Sequence, residues 1–484
     1  MTRLRYAKTI PSLLKGAETL LLLAPNRILD DGSFLQELPE ELMRLALELQ
    51  QDASPGRSGC VGSTLTGTEP RRLSLGTLPD ERSRHNSPAR PTAIRRAVSQ
   101  SRIGSSPAGA ILLVLEDEAH FLPAANAIAR ALPTFDGRGT KPSKRTITIA
   151  AYVPEKGMLT ADKALKITLE ASRDAAHMVD MPAADLTPAS FHKQAWAWLK
   201  DERVKKKVIT GDALLRAGLG GVHAVGRTAP VAPRMLIATY TPAKKSSQHI
   251  ALVGKGVTYD TGGLSLKGRT GMCGMKSDMG GAAAVLGAMR VLVECKTKMK
   301  VSMVIPLAEN SIGSNAYRPD DILTMHSGLT VEINNTDAEG RLLLADGVSY
   351  AGRVLGCDTI IDAATLTGAQ LVATGKGHAA VISNDAELEQ TVVASGLRSG
   401  DLSFPLPFAP EFYRSEFRSK VAHMKNSVAD RANAQASCAA EFVHWHLDGV
   451  DAKWAHVDLA GPAFNEGRGT GFGVALLAEA VRSI

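Results

Sequence analysis

Short apolar runs recur along this chain, separated by stretches in which Leu, Ala and Met fall at helical spacing. That pattern leaves layered strands and helices as the fold solution. ETLLLLAP, AGAILLVLE and TITIAAYV read as strands toward the N-terminus; RMLIATY, HIALVGKGV, KVSMVIPLA, TIIDAATL, AAVISN and WAHVDLA follow later. Between them FLQELPEELMRLALEL and HFLPAANAIARAL have helical patterning. Aromatic residues make up only 5%, and 44 glycines with Ala-rich stretches such as GGAAAVLGAM favour tight helix and strand layers over an all-β sandwich. The expected class is α/β. With 484 residues, 44% of them hydrophobic, the chain is long enough for more than one core. We expect a smaller N-terminal α/β domain at 1–160 and a connecting helix and linker at 161–187. A larger C-terminal α/β domain, with a central mixed sheet flanked by helices, is expected at 188–484.

Residues 53–109 differ in character. SPGRSG, PRR, SRHNSPARP and GSSPAG crowd Ser, Arg, Pro and Gly around short strand candidates such as RLSLGTL, which predicts a basic, mobile surface loop. The formal charge of +7 is a mild excess that by itself names no partner. Five cysteines without a CxxC pair fit a reducing compartment, so a cytoplasmic location is expected. The basic N-terminus lacks a continuous apolar region with a cleavage site, and nowhere do 18 apolar residues run together; no membrane association is expected.

The chemistry concentrates in two strings. VGKGVTYDTGGLSLKGRTGMCGMKSDMGGAAAV sets Lys255, Asp260, Lys267 and Asp278 among small and apolar residues. Charges in such surroundings need salt-bridge partners or a metal. NNTDAEGRLLLADG carries Asp337, Glu339 and Arg341 at i, i+2 and i+4, which on an extended segment would share one face. Four carboxylates with no histidine at matching spacing favour an oxygen-rich site suited to two divalent cations. Loop carboxylates paired with Lys255, Lys267 and Arg341 would account for the same composition. His444 and His446 read as helical and structural, GKGVTYDTGG lacks the order of a phosphate-binding loop, and Cys273 reads as an ordinary free thiol.

NTDAEGRL resembles the signature of the leucyl aminopeptidase (cytosol aminopeptidase) family of dinuclear metallopeptidases. VGKGVTYDTGG with SLK, MKSDMGGAAAVLG, DAATLTGA and WAHVDLAG stand in that family's order, and the likeness runs from about Asp174 to the C-terminus. The resemblance implies an aminopeptidase that removes Leu or another apolar N-terminal residue from short peptides. It implies two divalent metal ions per subunit, Zn or Mn, with Co or Mg as alternatives. Lys255, Asp260, Asp278 and Glu339 match one metal position, and Asp260, Asp337 and Glu339 the other. Lys267 and Arg341 match the catalytic positives, with bicarbonate at Arg341. Met275, Thr365, Leu366, Gly368, Ala460 and Ala463 match substrate-binding positions. A homohexamer follows from the same likeness. So does a competing nucleic-acid role, since some bacterial relatives bind DNA and residues 71–102 hold several arginines. A pseudoenzyme would ordinarily have lost a ligand, and none is lost. The chain departs from the pattern in the loop after Lys267, where many relatives have a proline, and at His423, where many have Asp.

Overall fold

The computed structural model describes residues 2–53, 56, 58–138, 144–244 and 246–484. The chain forms two compact units: Met1–Arg173 with Gly396–Leu402, and Asp174–Ser395 with Ser403–Ile484.

The first unit is built on a seven-stranded sheet: β1 (Thr2–Tyr6), β2 (Thr19–Pro25), β3 (Cys60–Leu65), β4 (Arg72–Leu78), β5 (Ala108–Val114), β6 (Arg145–Val153) and β7 (Gly157–Leu159). The order is β1-β6-β5-β2-β4-β3, parallel except at β3, with β7 antiparallel on β6. The unbroken TLLLLAP run of β2 is explained by its central place. Leu21 and Leu23 join a core with the helices Pro91–Gln100 and Phe121–Ala131, while Leu20 and Leu22 join a second core on the other face. A parallel sheet covered on both sides needs apolar residues at every position rather than alternate ones.

The expectation of a mobile basic loop at 53–109 is overturned; residues 54, 55 and 57 of it lie outside the described residues. The segment supplies β3, β4 and the helix Pro91–Gln100, which buries Ile94, Ala97 and Val98. Its arginines are not all solvated. Arg90 is 4% exposed and makes bidentate bonds at 2.8 and 3.1 Å to Glu116, with two backbone carbonyls taking further protons. Arginine can be buried where its planar fork meets a carboxylate and both terminal nitrogens are matched, here with only Nε left without a partner.

The second unit carries a nine-stranded mixed sheet. Its strands are β8 (Val204–Thr210), β9 (Arg234–Tyr240), β10 (His249–Gly254), β11 (Gly256–Asp260), β12 (Lys300–Asn310), β15 (Thr359–Ala364), β16 (Ala379–Ser383), β17 (Ser403–Pro405) and β19 (Lys453–Asp458). A small sheet of β13 (Ile322–Thr324), β14 (Thr330–Glu332) and β18 (Met424–Lys425) adjoins it in sequence. At the centre β12, β10, β15 and β19 run parallel, flanked by antiparallel β9 and β16. The Ala-rich helix Gly280–Glu294 packs on β10 and β15, and the helix Gly340–Arg353 covers the same strands with β12. Four parallel strands therefore end side by side, and the residues just beyond those ends are delivered to one edge. Among the described residues no helix is long and apolar enough to cross a membrane.

Candidate active site

Each polar residue of the two chemical strings sits where an element stops. Lys255 follows β10, Asp260 ends β11, Thr365 follows β15, and Glu339 immediately precedes the helix Gly340–Arg353. Asp337 lies in the turn before Glu339, so NTDAEGRL is a turn opening into a helix and not the extended segment on which a shared face was argued. Asp337 and Glu339 still converge, because the turn folds both toward Asp260. One oxygen from each of Asp260, Asp337 and Glu339 lies within 4.8 Å of the others.

Two lysines thread this cluster. Lys255 Nζ is 2.8 Å from Asp278 Oδ1, 3.0 Å from Glu339 Oε1 and 2.9 Å from the Thr365 carbonyl. Lys267 Nζ is 2.7 Å from Asp260 Oδ2 and 2.5 Å from Asp337 Oδ1. The structure thus brings Lys255, Asp260, Lys267, Asp278, Asp337 and Glu339 into one group. Its backbone is fitted to them. A side chain at Gly340 would place its Cβ 2.5 Å from Lys255 Cε, so only glycine lets that lysine pass. Gly262, at φ +84°, donates its N–H to Asp260 Oδ1 at 2.8 Å.

Four carboxylates face two ammonium groups, and the excess negative charge shows in their protonation. Burial, together with the neighbouring Asp260, pushes Asp278 up to about 6 and Glu339 up to about 8, against the pull of Lys255. Burial likewise raises Asp337, partly offset by Lys267. Both lysines are held above their ordinary value: burial opposes the charge, but the surrounding carboxylates outweigh it. Asp278 Oδ2 and Glu339 Oε2 are buried without a hydrogen-bond partner. Orphaned carboxylate oxygens beside a converging oxygen trio are a donor set that divalent cations fit.

Arg341 lies in the first turn of its helix, wholly buried, its guanidinium 6.0 Å from the centroid of the Phe442 ring. Burial lowers its pKa to about 10 against the pull of Glu339, and its Nε and Nη1 have no hydrogen-bond partner. The substrate-binding candidates form two walls. Thr365 donates from Oγ1 to Asp278 Oδ1 at 2.9 Å, and Leu366 packs on the large core. Gly368 opens the helix Gly368–Ala373. Ala460 and Ala463 bound the short helix after β19, and Met275 begins a 3₁₀ turn before Asp278. A Cβ on Gly280 would meet both Thr365 Cγ2 at 3.2 Å and Ala463 Cβ at 3.3 Å, so the two walls face each other across that glycine.

His444 ends the helix Gln435–Trp445 edge-on to Phe408, and His446 is buried beside Phe442 with its Nδ1 2.7 Å from Ser327 Oγ. Cys273 is exposed. His423 bonds through Nδ1 to the backbone N–H and hydroxyl of Thr330, a local brace beside the small sheet.

Several supporting residues escaped the sequence reading. Asn310 at the end of β12 is fully buried and donates from Nδ2 to Asp260 Oδ1 at 2.8 Å and to the Thr336 carbonyl at 3.0 Å. Thr336 Oγ1 donates to the Gly262 carbonyl and accepts the Ser265 N–H, tying the loop after Asp260 to the turn before Asp337. Tyr317 donates to the Thr336 carbonyl at 2.6 Å. Of these only Asn310 has a sequence signal, a polar residue closing the apolar strand KVSMVIPLAEN.

Residues 173–478 match the cytosol aminopeptidase family catalytic domain, and residues 18–140 match the M17 aminopeptidase N-terminal domain 2. Among individual proteins, a mouse protein named probable aminopeptidase NPEPL1 is 46% identical over 83% of this chain and 78% of its own. A leucyl aminopeptidase from Trypanosoma brucei, solved in complex with bestatin, superposes with a TM-score of 0.89 at 33% identity, covering 100% of this chain and 96% of the other. The bottromycin maturation enzyme BotP, solved in complex with Mn, reaches 0.78 at 29% identity, covering 96% and 99%. The family match spans the strands and turns that assemble the cluster above, and the chain therefore belongs to the cytosol aminopeptidase family of metal-dependent aminopeptidases.

Proposed function

We propose that the enzyme removes the N-terminal residue, preferably leucine or another apolar one, from short peptides by hydrolysis at a two-metal centre. The observation that carries this reading is the convergence of Asp260, Asp337 and Glu339 beside orphaned oxygens of Asp278 and Glu339. One cation, Zn or Mn, with Co or Mg as alternatives, would take Lys255, Asp260, Asp278 and Glu339. The other would take Asp260, Asp337 and Glu339. Bound there, the cations supply Lewis acidity and lower the pKa of water toward neutrality.

The remaining work falls to the protein. Lys255 must give up its proton to serve as a donor, which neighbouring cations would enforce. Lys267 remains an ammonium and is placed to donate to the oxyanion that develops on the scissile carbonyl. Asp278 is placed to accept from the free α-amine of the substrate, which fixes the first residue and makes a blocked N-terminus unproductive. Thr365, Leu366, Gly368, Met275, Ala460 and Ala463 would enclose the first side chain in an apolar pocket. The two unpartnered nitrogens of Arg341 suit a small oxyanion such as bicarbonate held near Glu339. We further propose a homohexamer in the cytoplasm, on the likeness to the family.

The test is hydrolysis of leucine amide by chelated protein restored with Zn²⁺, Mn²⁺ or Co²⁺, beside N-acetyl-leucine amide. Activity should return with metal and spare the acetylated compound. Metal uptake without turnover of any unblocked amide would refute the reading.

The raised carboxyls carry a pH prediction. In the metal-free protein Glu339 binds a proton in the folded state at pH values where the unfolded chain has lost it. That part of the stability is full at acid pH and is lost as the pH rises toward about 8. Glu339→Gln has no such proton to lose, so metal-free Glu339→Gln should gain in Tm on the native sequence between pH 5 and about 9. A Tm difference independent of pH would show that the carboxyl is not held protonated.

A further inference from the structure

We propose that Asp458 is a positioning residue for the aminopeptidase reaction, clamping the turn that carries Thr365 so that Thr365 can hold Lys255 and Asp278 in place. The proposal rests on the reading of the site given above. Asp458 closes β19 in register with Ala364, the last residue of β15, so it stands beside the point where the chain leaves the sheet toward Thr365. It is fully buried, and among the described residues it forms no ion pair with a lysine or arginine; buried His456, which bonds Asp362, and Arg341 act on it only through space.

What it holds is specific. Oδ1 accepts the N–H of Leu366 at 3.1 Å and of Ala460 at 3.2 Å, and Oδ2 accepts the Thr367 hydroxyl at 2.7 Å. All three donors belong to the two walls, two in the turn after β15 and one in the turn after β19. From the first wall the constraint passes to the cluster through a single residue. The Thr365 carbonyl takes a proton of Lys255 Nζ at 2.9 Å, and Thr365 Oγ1 donates to Asp278 Oδ1 at 2.9 Å. A buried amide braces the same walls farther out, where Gln370 Oε1 accepts the Gly461 N–H at 2.6 Å. Burying a carboxylate without an ion pair of its own is costly, and burial raises the pKa of Asp458 against the pull of His456 and of the three donors. A core contact does not require that cost. A fixed acceptor for three converging donors does.

The geometry also says which substitution should be tolerated. Asparagine keeps the Oδ1 acceptor for both backbone N–H groups, and its Nδ2 can donate to Thr367 Oγ1, whose proton is free to turn away. Alanine leaves all three donors unmatched.

The experiment uses full-length metal-restored enzyme with Asp458→Ala and Asp458→Asn. It reads KM and kcat for leucine amide, Zn²⁺ affinity by chelator competition, and Tm. For Asp458→Ala we expect Zn²⁺ affinity to fall by about 10–100-fold, the range seen when a partner orienting a ligand is lost, with a raised KM. Asp458→Asn should restore both to within about 3-fold, the scale of one altered hydrogen bond. If Asp458→Ala does not fold, Thr367→Val against Thr367→Ser removes or keeps this contact together with the bond Thr367 Oγ1 accepts from the Gln370 N–H, with valine weakening Zn²⁺ binding and serine preserving it. Lowered Tm in the alanine or valine variant with unchanged KM and Zn²⁺ affinity would overturn the proposal, as would equal losses in the alanine and asparagine variants. Absence of turnover in the native enzyme would defeat the aminopeptidase reading instead, and the ranking of Zn²⁺ affinities would still decide the role of Asp458.

Discussion

Asp260→Ala is expected to abolish both metal retention and turnover, the largest effect of any single change in the molecule. Asp260 is 2% exposed and lies in the converging oxygen trio. It is the one carboxylate of that trio held by two neutral donors, Gly262 N–H and Asn310 Nδ2, each at 2.8 Å to Oδ1. Those donors orient it, leaving Oδ2 to face Lys267 at 2.7 Å. Losing the carboxylate itself should cost more than the about 10–100-fold in metal affinity or activity that follows loss of an orienting partner. Asp260→Asn separates charge from shape. Its metal-free form should not exceed the native protein in Tm: removing the charge relieves the repulsion that raises Asp278 and Glu339, but it exchanges the 2.7 Å ion pair with Lys267 for an amide Nδ2 facing the ammonium. Chelator competition with metal analysis checks the first point and Tm the second. Native metal content in either variant would remove Asp260 from the ligand set.

Lys267→Ala should behave in the opposite manner, losing chemistry while keeping metal. Its ammonium lies between Asp260 and Asp337, and the carboxylates hold its pKa above the ordinary value despite burial. It is therefore charged throughout the neutral range. Removing one donor to a developing oxyanion costs about 10²–10³ in kcat in comparable sites. Metal affinity should not fall, since a cation that competes for the same carboxylates has been removed. Arginine is no substitute, because a planar fork does not occupy the compact place of an ammonium between two carboxylates. Steady-state kinetics on leucine amide beside chelator competition separates the two variants. A kcat equal to the native value would remove Lys267 from the reaction.

The difference between readable and unreadable features follows from the range of the forces involved. Strands such as TLLLLAP and KVSMVIPLA were legible because burial of a strand between two layers demands a continuous apolar run, which is a local property. The segment 53–109 was misread because Arg, Ser and Pro mark a surface only when nothing distant pairs with them. Arg90 finds Glu116 and is folded inward by it. Asp401 shows the same limit from the other side: fully buried, it meets Arg130 at 2.6 Å, 271 residues away in sequence. At the site, the spacing of Asp337, Glu339 and Arg341 was argued on an extended chain, yet a turn and a helix start bring the two carboxylates to Asp260 and leave Arg341 to a separate buried place against Phe442.

The sequence by itself determined the alternation of strands and helices, the family, and the identity of the charged residues in two strings, because apolar periodicity and motif order are carried along the chain. Tertiary structure alone decided that four parallel strands end side by side with β11 laid along β12, and hence that Lys255, Asn310, Thr365 and Asp458 share one edge with Asp260. It also decided which carboxylates are orphaned, which lysine lies against which acid, and which buried acceptor holds the walls. Those outcomes depend on through-space distances of a few ångströms between residues far apart in the chain, and hydrogen bonds and desolvation act only at that range.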